Sequence, residues 1–237
     1  MKTNTLIIGS SSGIGLEATN FFLKKGHNVI GISRRGNNIN SNKFRNIKFD
    51  LTDFENYDLL FSNIYNRFGL INNLLFSAGA QFIRPSSIIS TNDMKKIFDI
   101  NLKSPILFSK FISNRKFFKR PGSVVFISSV IASRPASGQS LYGSSKSGII
   151  NHSKSLALEV SKYKININTI SPGMLKGPML SKYSKNISKA IYEKITNQHP
   201  LGIGKFTDIV NGIDFLFSSK SRWITGIDLT IDGGYSL

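Results

Sequence analysis

The chain contains no cysteine and only three histidines in 237 residues. Without cysteine it can form no disulfide, thiolate nucleophile, zinc–thiolate site or iron–sulfur cluster. The three histidines, His27, His152 and His199, do not stand at the spacing of metal ligands. We therefore expect no metal site.

Acidic residues are also scarce. The chain has 13 Asp and Glu against 31 Lys and Arg, which gives a net charge of +18. Such a charge attracts anions, nucleic acid among them. The basic residues are spread along the whole chain, however, and the densest stretch runs only from Lys110 to Arg120. We therefore expect no nucleic-acid partner.

The chain has no long hydrophobic run either. No stretch approaches the roughly 18 apolar residues of a membrane-spanning helix, and residues 1–8 lack the apolar segment of a signal peptide. We expect no membrane partner and, by default, a cytoplasmic location. With 40% hydrophobic residues the chain can bury an ordinary core, and its length fits one domain over residues 1–237.

Short apolar, β-branched runs alternate with longer amphipathic stretches, which predicts an α/β fold with a doubly wound, seven-stranded parallel sheet and helices on both faces. The predicted strands are residues 5–8, 29–32, 47–49, 70–76, 123–127, 165–170 and 227–231. The predicted helices are residues 13–25, 53–67, 93–118, 142–161 and 207–218. Thr52 with Glu55, and the run from Thr91 to Asp93, predict caps for the second and third helices. Residues 173–200 interrupt the alternation and predict a substrate lid.

A glycine-rich loop joins the first predicted strand to the first helix. Glycines allow a tight turn and a close approach to a pyrophosphate, and the N-terminus of the helix attracts the anion. A plain turn is the alternative. The position between strand and helix favours a dinucleotide site made of Gly9, Ser11, Ser12, Gly13, Ile14 and Gly15.

The second predicted strand ends in Ser33, Arg34 and Arg35. An NAD-binding protein would place Asp or Glu there to hold the ribose, and this chain has none. Arginine is a natural bidentate partner of phosphate. We therefore predict NADP(H) as the cofactor, with a solvated turn as the alternative reading of the two arginines.

Three polar residues predict acid–base chemistry. Ser129 follows the fifth predicted strand, and Tyr142 and Lys146 stand four residues apart on one face of a predicted helix. A free tyrosine titrates near pH ~10, and lowering its pKa by ~3 units requires about 4 kcal/mol. One ammonium at ~4 Å supplies about that much at an effective dielectric constant near ~20. We predict that Tyr142 donates a proton, Lys146 lowers its pKa, and Ser129 orients a carbonyl.

With these features in this order, residues 5–235 resemble the short-chain dehydrogenase/reductase family. The shared pattern is Gly-x-x-x-Gly-x-Gly, the strand-end serine and Tyr-x-x-x-Lys. The resemblance implies a single-domain Rossmann fold and an NADP(H)-dependent oxidoreductase whose Lys146 also binds the cofactor's ribose. It implies further site residues, namely Asn101 in a proton relay, Asp50 and Leu51 at the adenine, Ser77, Ala78 and Gly79 after the fourth strand, and Pro172 and Gly173 beside the nicotinamide.

Three positions depart from the family pattern. Ile8 replaces a threonine and Ser77 replaces an asparagine, and both replaced residues tie neighbouring loops together. Ser77 can restore part of this hydrogen bonding and Ile8 cannot, which predicts a looser cofactor loop. Gly177 stands where the family has a threonine that touches the carboxamide.

Within the family the chain is most similar to the 3-oxoacyl-acyl-carrier-protein reductases. Gly138-Gln139 shortly before Tyr142 is shared with them, and Arg120 stands where they keep a basic residue for the acidic carrier protein. Tyr163 occupies their second basic position. The resemblance implies a 3-oxoacyl thioester substrate, an acyl carrier protein as a possible partner, and a homodimer or homotetramer. The alternatives are another small-molecule carbonyl or sugar substrate, and a non-catalytic, basic dinucleotide-binding regulator.

Overall fold

The sheet has seven parallel strands in the order β3-β2-β1-β4-β5-β6-β7. The computed structural model describes residues 3–177, 192, 193 and 196–237. The strands are β1 Asn4–Ile8, β2 Asn28–Ser33, β3 Phe44–Lys48, β4 Ile71–Phe76, β5 Phe118–Ile127, β6 Ile165–Pro172 and β7 Asp228–Ile231. The predicted doubly wound α/β fold is confirmed. The predicted lid at residues 173–200 lies largely outside the described residues.

Helices cover both faces of this sheet. Two hydrophobic clusters of buried residues form, one on each side of it. The first includes Phe61, Phe108 and Phe111, whose rings meet at centroid distances of 5.0 to 5.3 Å. The second includes Phe22 and Ile213. The helices are α1 Gly13–Lys24, α2 Tyr57–Phe68, α3 Thr91–Phe98, α4 Ser104–Ser113, α5 Ser140–Val160 and α6 Phe206–Phe217.

The predicted helix 93–118 is wrong as a single element. A π-helical turn, Asp99–Lys103, separates α3 from α4, and Phe118 already belongs to β5. The chain leaves the helix at Asn114, whose ψ of 123° is extended. Burial of Phe118 in the sheet outweighs the helical pattern of the preceding residues.

The predicted helix caps are also displaced. Ser90 is the N-cap of α3 and forms a capping box with Asp93. Thr52 does not cap α2, because its backbone N–H and its hydroxyl both donate to the Asp50 carboxylate, at 2.9 and 2.8 Å. A short 3₁₀ turn, Phe54–Asn56, precedes α2 instead.

The strand order reverses at β1, which marks the carboxyl edge of the sheet at this point as the position expected for a ligand. Strand β1 pairs with β2 on one side and with β4 on the other, so the chain winds outward in both directions from this point. Ligands of open α/β sheets bind where the strand order reverses in this way. Every predicted site segment except α5 and the π turn follows the end of a strand at this edge. None of the described helices is long and apolar enough to cross a membrane.

Candidate active site

The glycine-rich loop turns tightly between β1 and α1. Gly9 has φ +90° and its N–H donates to the Ile32 carbonyl at 2.8 Å. A side chain on Gly15 would overlap the Gly9 carbonyl oxygen, so the loop and the helix touch backbone to backbone. Glycine is therefore required at both positions.

The N-terminus of α1 suits a phosphate. The N-cap Ser12 makes no side-chain capping bond, and the first turn carries no acidic residue. The first N–H groups of a helix have no intrahelical partner and attract anions. The buried hydroxyl of Ser10 has no hydrogen-bond partner among the described residues. The loop therefore fits the pyrophosphate of a dinucleotide, with Ser11 and Ile14 half-buried and Ser12 exposed beside it.

The end of β2 brings two arginines to the same edge. Arg34 and Arg35 are exposed, whereas Ser33 is buried and its Oγ accepts a hydrogen bond from the Gly36 N–H at 3.2 Å. Hydrogen bonds from Thr52 lower the pKa of Asp50, and the charge of Arg34 lowers it further. No carboxylate ends β2, as predicted.

Asn37 is a residue that the sequence reasoning missed. Its Nδ2 donates to the Ser10 carbonyl at 3.0 Å and so ties the arginine turn to the glycine loop. Leu51, predicted to lie at the adenine, is buried. Its side chain packs in the core, and its carbonyl accepts hydrogen bonds from Tyr57 and Ser104, both at 2.8 Å.

The loop after β4 is held firmly against β1. The N–H groups of Ser77 and Ala78 and the Ser77 hydroxyl all donate to the Ile8 carbonyl, at 2.8 to 3.0 Å. These bonds use the backbone oxygen of Ile8 and do not depend on its side chain, and the looser cofactor loop stays a prediction. A Cβ on Gly79 would lie 3.4 Å from both Asn101 Oδ1 and Lys146 Nζ, so this loop borders those side chains.

Ser129 and Tyr142 meet at the end of β5. The Ile131 N–H donates to Ser129 Oγ at 3.2 Å and fixes this oxygen. Burial raises the pKa of the Tyr142 phenol, and a hydrogen bond with the Ser129 hydroxyl lowers it in part. The net shift is upward, which is opposite to the predicted direction.

Lys146 bonds to the strand that ends at this site. Its Nζ donates to the Ile127 carbonyl at 2.9 Å and lies 5.8 Å from the centre of the Tyr142 ring. The side chain is buried, and burial lowers its pKa to about 8. The amine thus bonds to the end of β5. Below pH about 8 it carries its charge.

Asn101 lies in the π turn and holds a backbone segment. Its Nδ2 donates to the Ala80 carbonyl at 2.9 Å and to Ser145 Oγ at 3.0 Å, and its Oδ1 accepts from the Ala80 N–H at 2.8 Å. The side chain therefore connects the loop after β4 to α5. A π turn inside a helix is frequent at functional sites.

Pro172 and Gly173 border the site at the end of β6. A Cβ on Gly173 would meet the Asp232 backbone, so the carboxyl-terminal segment packs directly on this turn. The residue at 177 is glycine for a spatial reason. A side chain there would overlap the ring of Phe206, which also lies against Gly13 of the cofactor loop.

The geometry therefore combines a dinucleotide cradle with a serine–tyrosine pair and a buried lysine at one edge of a doubly wound sheet, which defines a nucleotide-dependent oxidoreductase. The family model described as "Enoyl-(Acyl carrier protein) reductase" matches residues 8–236. The chain belongs to the short-chain dehydrogenase/reductase family.

Curated relatives cover nearly the whole chain. The chain is 32% identical to the 3-oxoacyl-[acyl-carrier-protein] reductase FabG of Buchnera aphidicola. The match covers 98% of this chain and 97% of the Buchnera protein. It is also 32% identical to the FabG of Rickettsia typhi, over 97% of the chain and 95% of that protein.

Solved structures share the fold. A 4-hydroxyisoleucine dehydrogenase complexed with NADH is 30% identical, with a TM-score of 0.92 over 99% of each chain. ElxO with NADP bound is 28% identical, with a TM-score of 0.84 over 99% of each chain. Members of the family thus bind either nicotinamide cofactor.

Proposed function

We propose that this protein is an NADP(H)-dependent reductase that converts the ketone of a 3-oxoacyl thioester to a secondary alcohol. The observation that carries the proposal is the position of Ser129, Tyr142 and the buried Lys146 together at the end of β5, where Lys146 Nζ donates to the Ile127 carbonyl. The similarity to the two FabG proteins supports the substrate class.

Each residue of this group has a distinct role in the proposal. Tyr142 gives its proton to the carbonyl oxygen, and Ser129 donates a hydrogen bond to the same oxygen and holds it in line. Lys146 binds the ribose of the cofactor, which supplies the hydride when bound. Asn101 positions the loop after β4 and supports the proton relay.

The cofactor preference rests on the turn after β2. Arg34 and Arg35 are exposed beside the glycine loop, and Asn37 ties the two segments together. Guanidinium groups at this place suit the additional phosphate of NADP(H). NAD(H) is the alternative, because a relative of similar identity was solved with NADH.

An acyl carrier protein is the proposed macromolecular partner. The Arg120 guanidinium lies 3.6 Å from the centre of the Tyr163 ring, and Arg115 and Lys162 lie within 5.3 Å of the same ring. An acidic protein complements such a cluster. Arg120 begins β5, however, and Ser129 follows the end of that strand, about 30 Å away at ~3.3 Å per residue. The proposal therefore includes a homodimer or homotetramer, in which a carrier protein bound at this cluster serves the active site of another subunit.

The test is reduction of acetoacetyl thioesters by the purified protein. We expect oxidation of NADPH, at a rate well above that with NADH, and formation of the 3-hydroxyacyl product. Activity on a sugar or another ketone without activity on any thioester would favour the alternative substrate class. Cofactor binding without turnover of any carbonyl would favour a regulator.

A further inference from the structure

A half-buried arginine, Arg134, lies in the turn that follows Ser129 and has no carboxylate partner among the described residues. Arg134 follows Ser129 by one turn, and its N–H donates to the Val130 carbonyl at 2.8 Å. Its guanidinium lies 4.3 Å from the centre of the Tyr235 ring. Among the described residues, the ion pairs involve other basic residues, and Arg134 has none.

The surroundings hold this guanidinium in place. The Tyr235 ring also stacks on the His199 ring, with centroids 4.6 Å apart. The Met174 N–H lies 3.3 Å from His199 Nε2. The stack therefore joins the turn after β5, the carboxyl-terminal segment and both ends of the segment 174–199. Stacking on an aromatic ring orients an arginine and leaves the N–H groups in its plane available as donors.

Asp232, three residues before Tyr235, has other hydrogen-bond partners. The Asp232 carboxylate accepts from the N–H groups of Gly234 and Ser236, at 3.0 and 2.8 Å. A half-buried guanidinium without a counter-ion favours an anionic ligand, because charge-assisted pairs with carboxylate or phosphate are among the strong hydrogen bonds.

This arginine is separate from those proposed for the cofactor. Arg34 follows β2 and Arg134 follows β5, and two strands, β1 and β4, lie between them. At ~4.8 Å per strand the two turns are about 14 Å apart across the sheet. An anion bound at Arg134 is therefore not the phosphate that Arg34 would bind.

We propose that Arg134, oriented by Tyr235, binds an oxyanion of the substrate, either a phosphate on the arm that carries the acyl group or a carboxylate on the substrate itself. The inference rests on the proposed function, since it takes the turn after Ser129 as the substrate side.

The experiment measures binding and needs no turnover. The protein is saturated with NADPH or NADH, whichever binds more tightly, and titrated calorimetrically with phosphopantetheine, succinate and uncharged pantetheine. We expect at least one anionic probe to bind tenfold or more tightly than pantetheine, and Arg134→Met to abolish this preference. The identity of the preferred probe distinguishes phosphate from carboxylate.

Arg222→Met is the matched control, because Arg222 is exposed and also lies near an aromatic ring, 5.9 Å from that of Trp223. It should keep the preference, and thermal unfolding should show both variants folded. The proposal is overturned if the wild-type protein binds all three probes alike, or if Arg134→Met keeps the preference. Failure of the proposed reductase function would show separately, as an absence of thioester reduction by the wild-type protein.

Discussion

At the residue scale, Tyr142 differs from an ordinary tyrosine. Burial raises its pKa, so the phenol keeps its proton at neutral pH and can only act as an acid toward a bound carbonyl. Removal of a general acid typically costs 10²- to 10⁴-fold in rate. We expect Tyr142→Phe to lower kcat for an acetoacetyl thioester by about 10³-fold.

Tyr65→Phe provides the comparison for this variant, because Tyr65 packs against Phe117 away from the site. It should keep the wild-type kcat. A Tyr142→Phe enzyme with more than about a tenth of the wild-type rate would contradict the proton-donor role, since the expected loss begins near ~10²-fold.

Cofactor selection should depend on Arg34. A hydrogen bond to a charged group contributes about 1.5–3 kcal/mol, which is roughly a 10- to 150-fold change in binding. We expect Arg34→Ala to raise KM for NADPH by at least about tenfold and to change KM for NADH much less. Steady-state kinetics with both cofactors measure this. Lys48→Ala, at the end of β3, is the control for loss of a positive charge nearby. Equal effects of Arg34→Ala on both cofactors would show that the arginine does not read the phosphate.

The role of a single residue could be predicted where the residue type itself carries the chemistry. It could not be predicted where the role depends on a contact that exists only in the folded chain. The glycine loop, Ser129 and Tyr142 stand out in the sequence because few other residues could serve there. The sequence could not reveal that Asn37 holds the glycine loop, because an asparagine in a turn is common. Gly177 likewise depends on the ring of Phe206, which lies 29 positions later and approaches only in the folded chain.

At the element scale, the π turn at Asp99–Lys103 depends on Asn101. This side chain is buried and bonds both polar groups of Ala80 as well as Ser145. Leaving such partners unsatisfied costs about 1–3 kcal/mol for each. We expect Asn101→Ala to lower the free energy of unfolding by about 2–4 kcal/mol and to reduce kcat as well.

The variant Asn101→Asp tests the role of the acceptor Oδ1 separately from that of the donor Nδ2. It keeps the oxygen that accepts from the Ala80 N–H and loses the donation to the Ala80 carbonyl. An ionised carboxylate buried here also faces the Ala80 carbonyl, so the stability of this variant, measured by urea denaturation, should be no higher than that of Asn101→Ala at neutral pH and should recover as acid protonates the carboxyl group. A stability of Asn101→Ala equal to the wild type would show that the clamp does not hold the loop.

Helices and strands could be predicted from hydrophobic periodicity where the packing of one face on the core determines the structure of the segment. All seven strands are where their apolar runs predict them, with ends shifted by up to five residues, as in β5. The break between α3 and α4 was not visible, because the residues from Asp99 to Lys103 have a continuous helical pattern. At this turn Ser104 Oγ donates to the Asp99 carbonyl and to the Leu51 carbonyl. The bond to Leu51 forms only in the folded chain.

At the scale of the whole molecule, the charge of +18 should destabilise the fold at low ionic strength. Self-repulsion of a net charge opposes the compact state, and salt screens it. The Debye length falls from roughly 30 Å at 0.01 M to about 10 Å at 0.1 M. We expect Tm to be higher at 0.1 M salt than at 0.01 M salt, measured in one buffer at one pH. A Tm that falls as salt increases would show that attractive ion pairs outweigh the repulsion.

The whole fold should also lose stability in mild acid. Burial lowers the pKa of both His27 and His152 below the ordinary 6.5. The folded chain therefore binds these protons less readily than the unfolded chain, and the unfolded state gains as pH falls through about 6.5. Stability should be full above about pH 7 and decline steadily below it, as urea denaturation over this range would measure.

His27→Asn isolates one of the two groups. The ring stacks on Phe22 of α1, and its Nδ1 shares a hydrogen bond with Thr5 Oγ1 of β1 at 2.9 Å. Burial of this half-buried ring disfavours the charged form, so protonation costs stability. Asparagine retains a polar atom for Thr5 but does not titrate. The variant should be less stable at neutral pH and should lose less of its remaining stability on acidification. If its stability falls with pH as steeply as that of the wild type, His27 does not cause the acid sensitivity, and His152 or the rising net charge must.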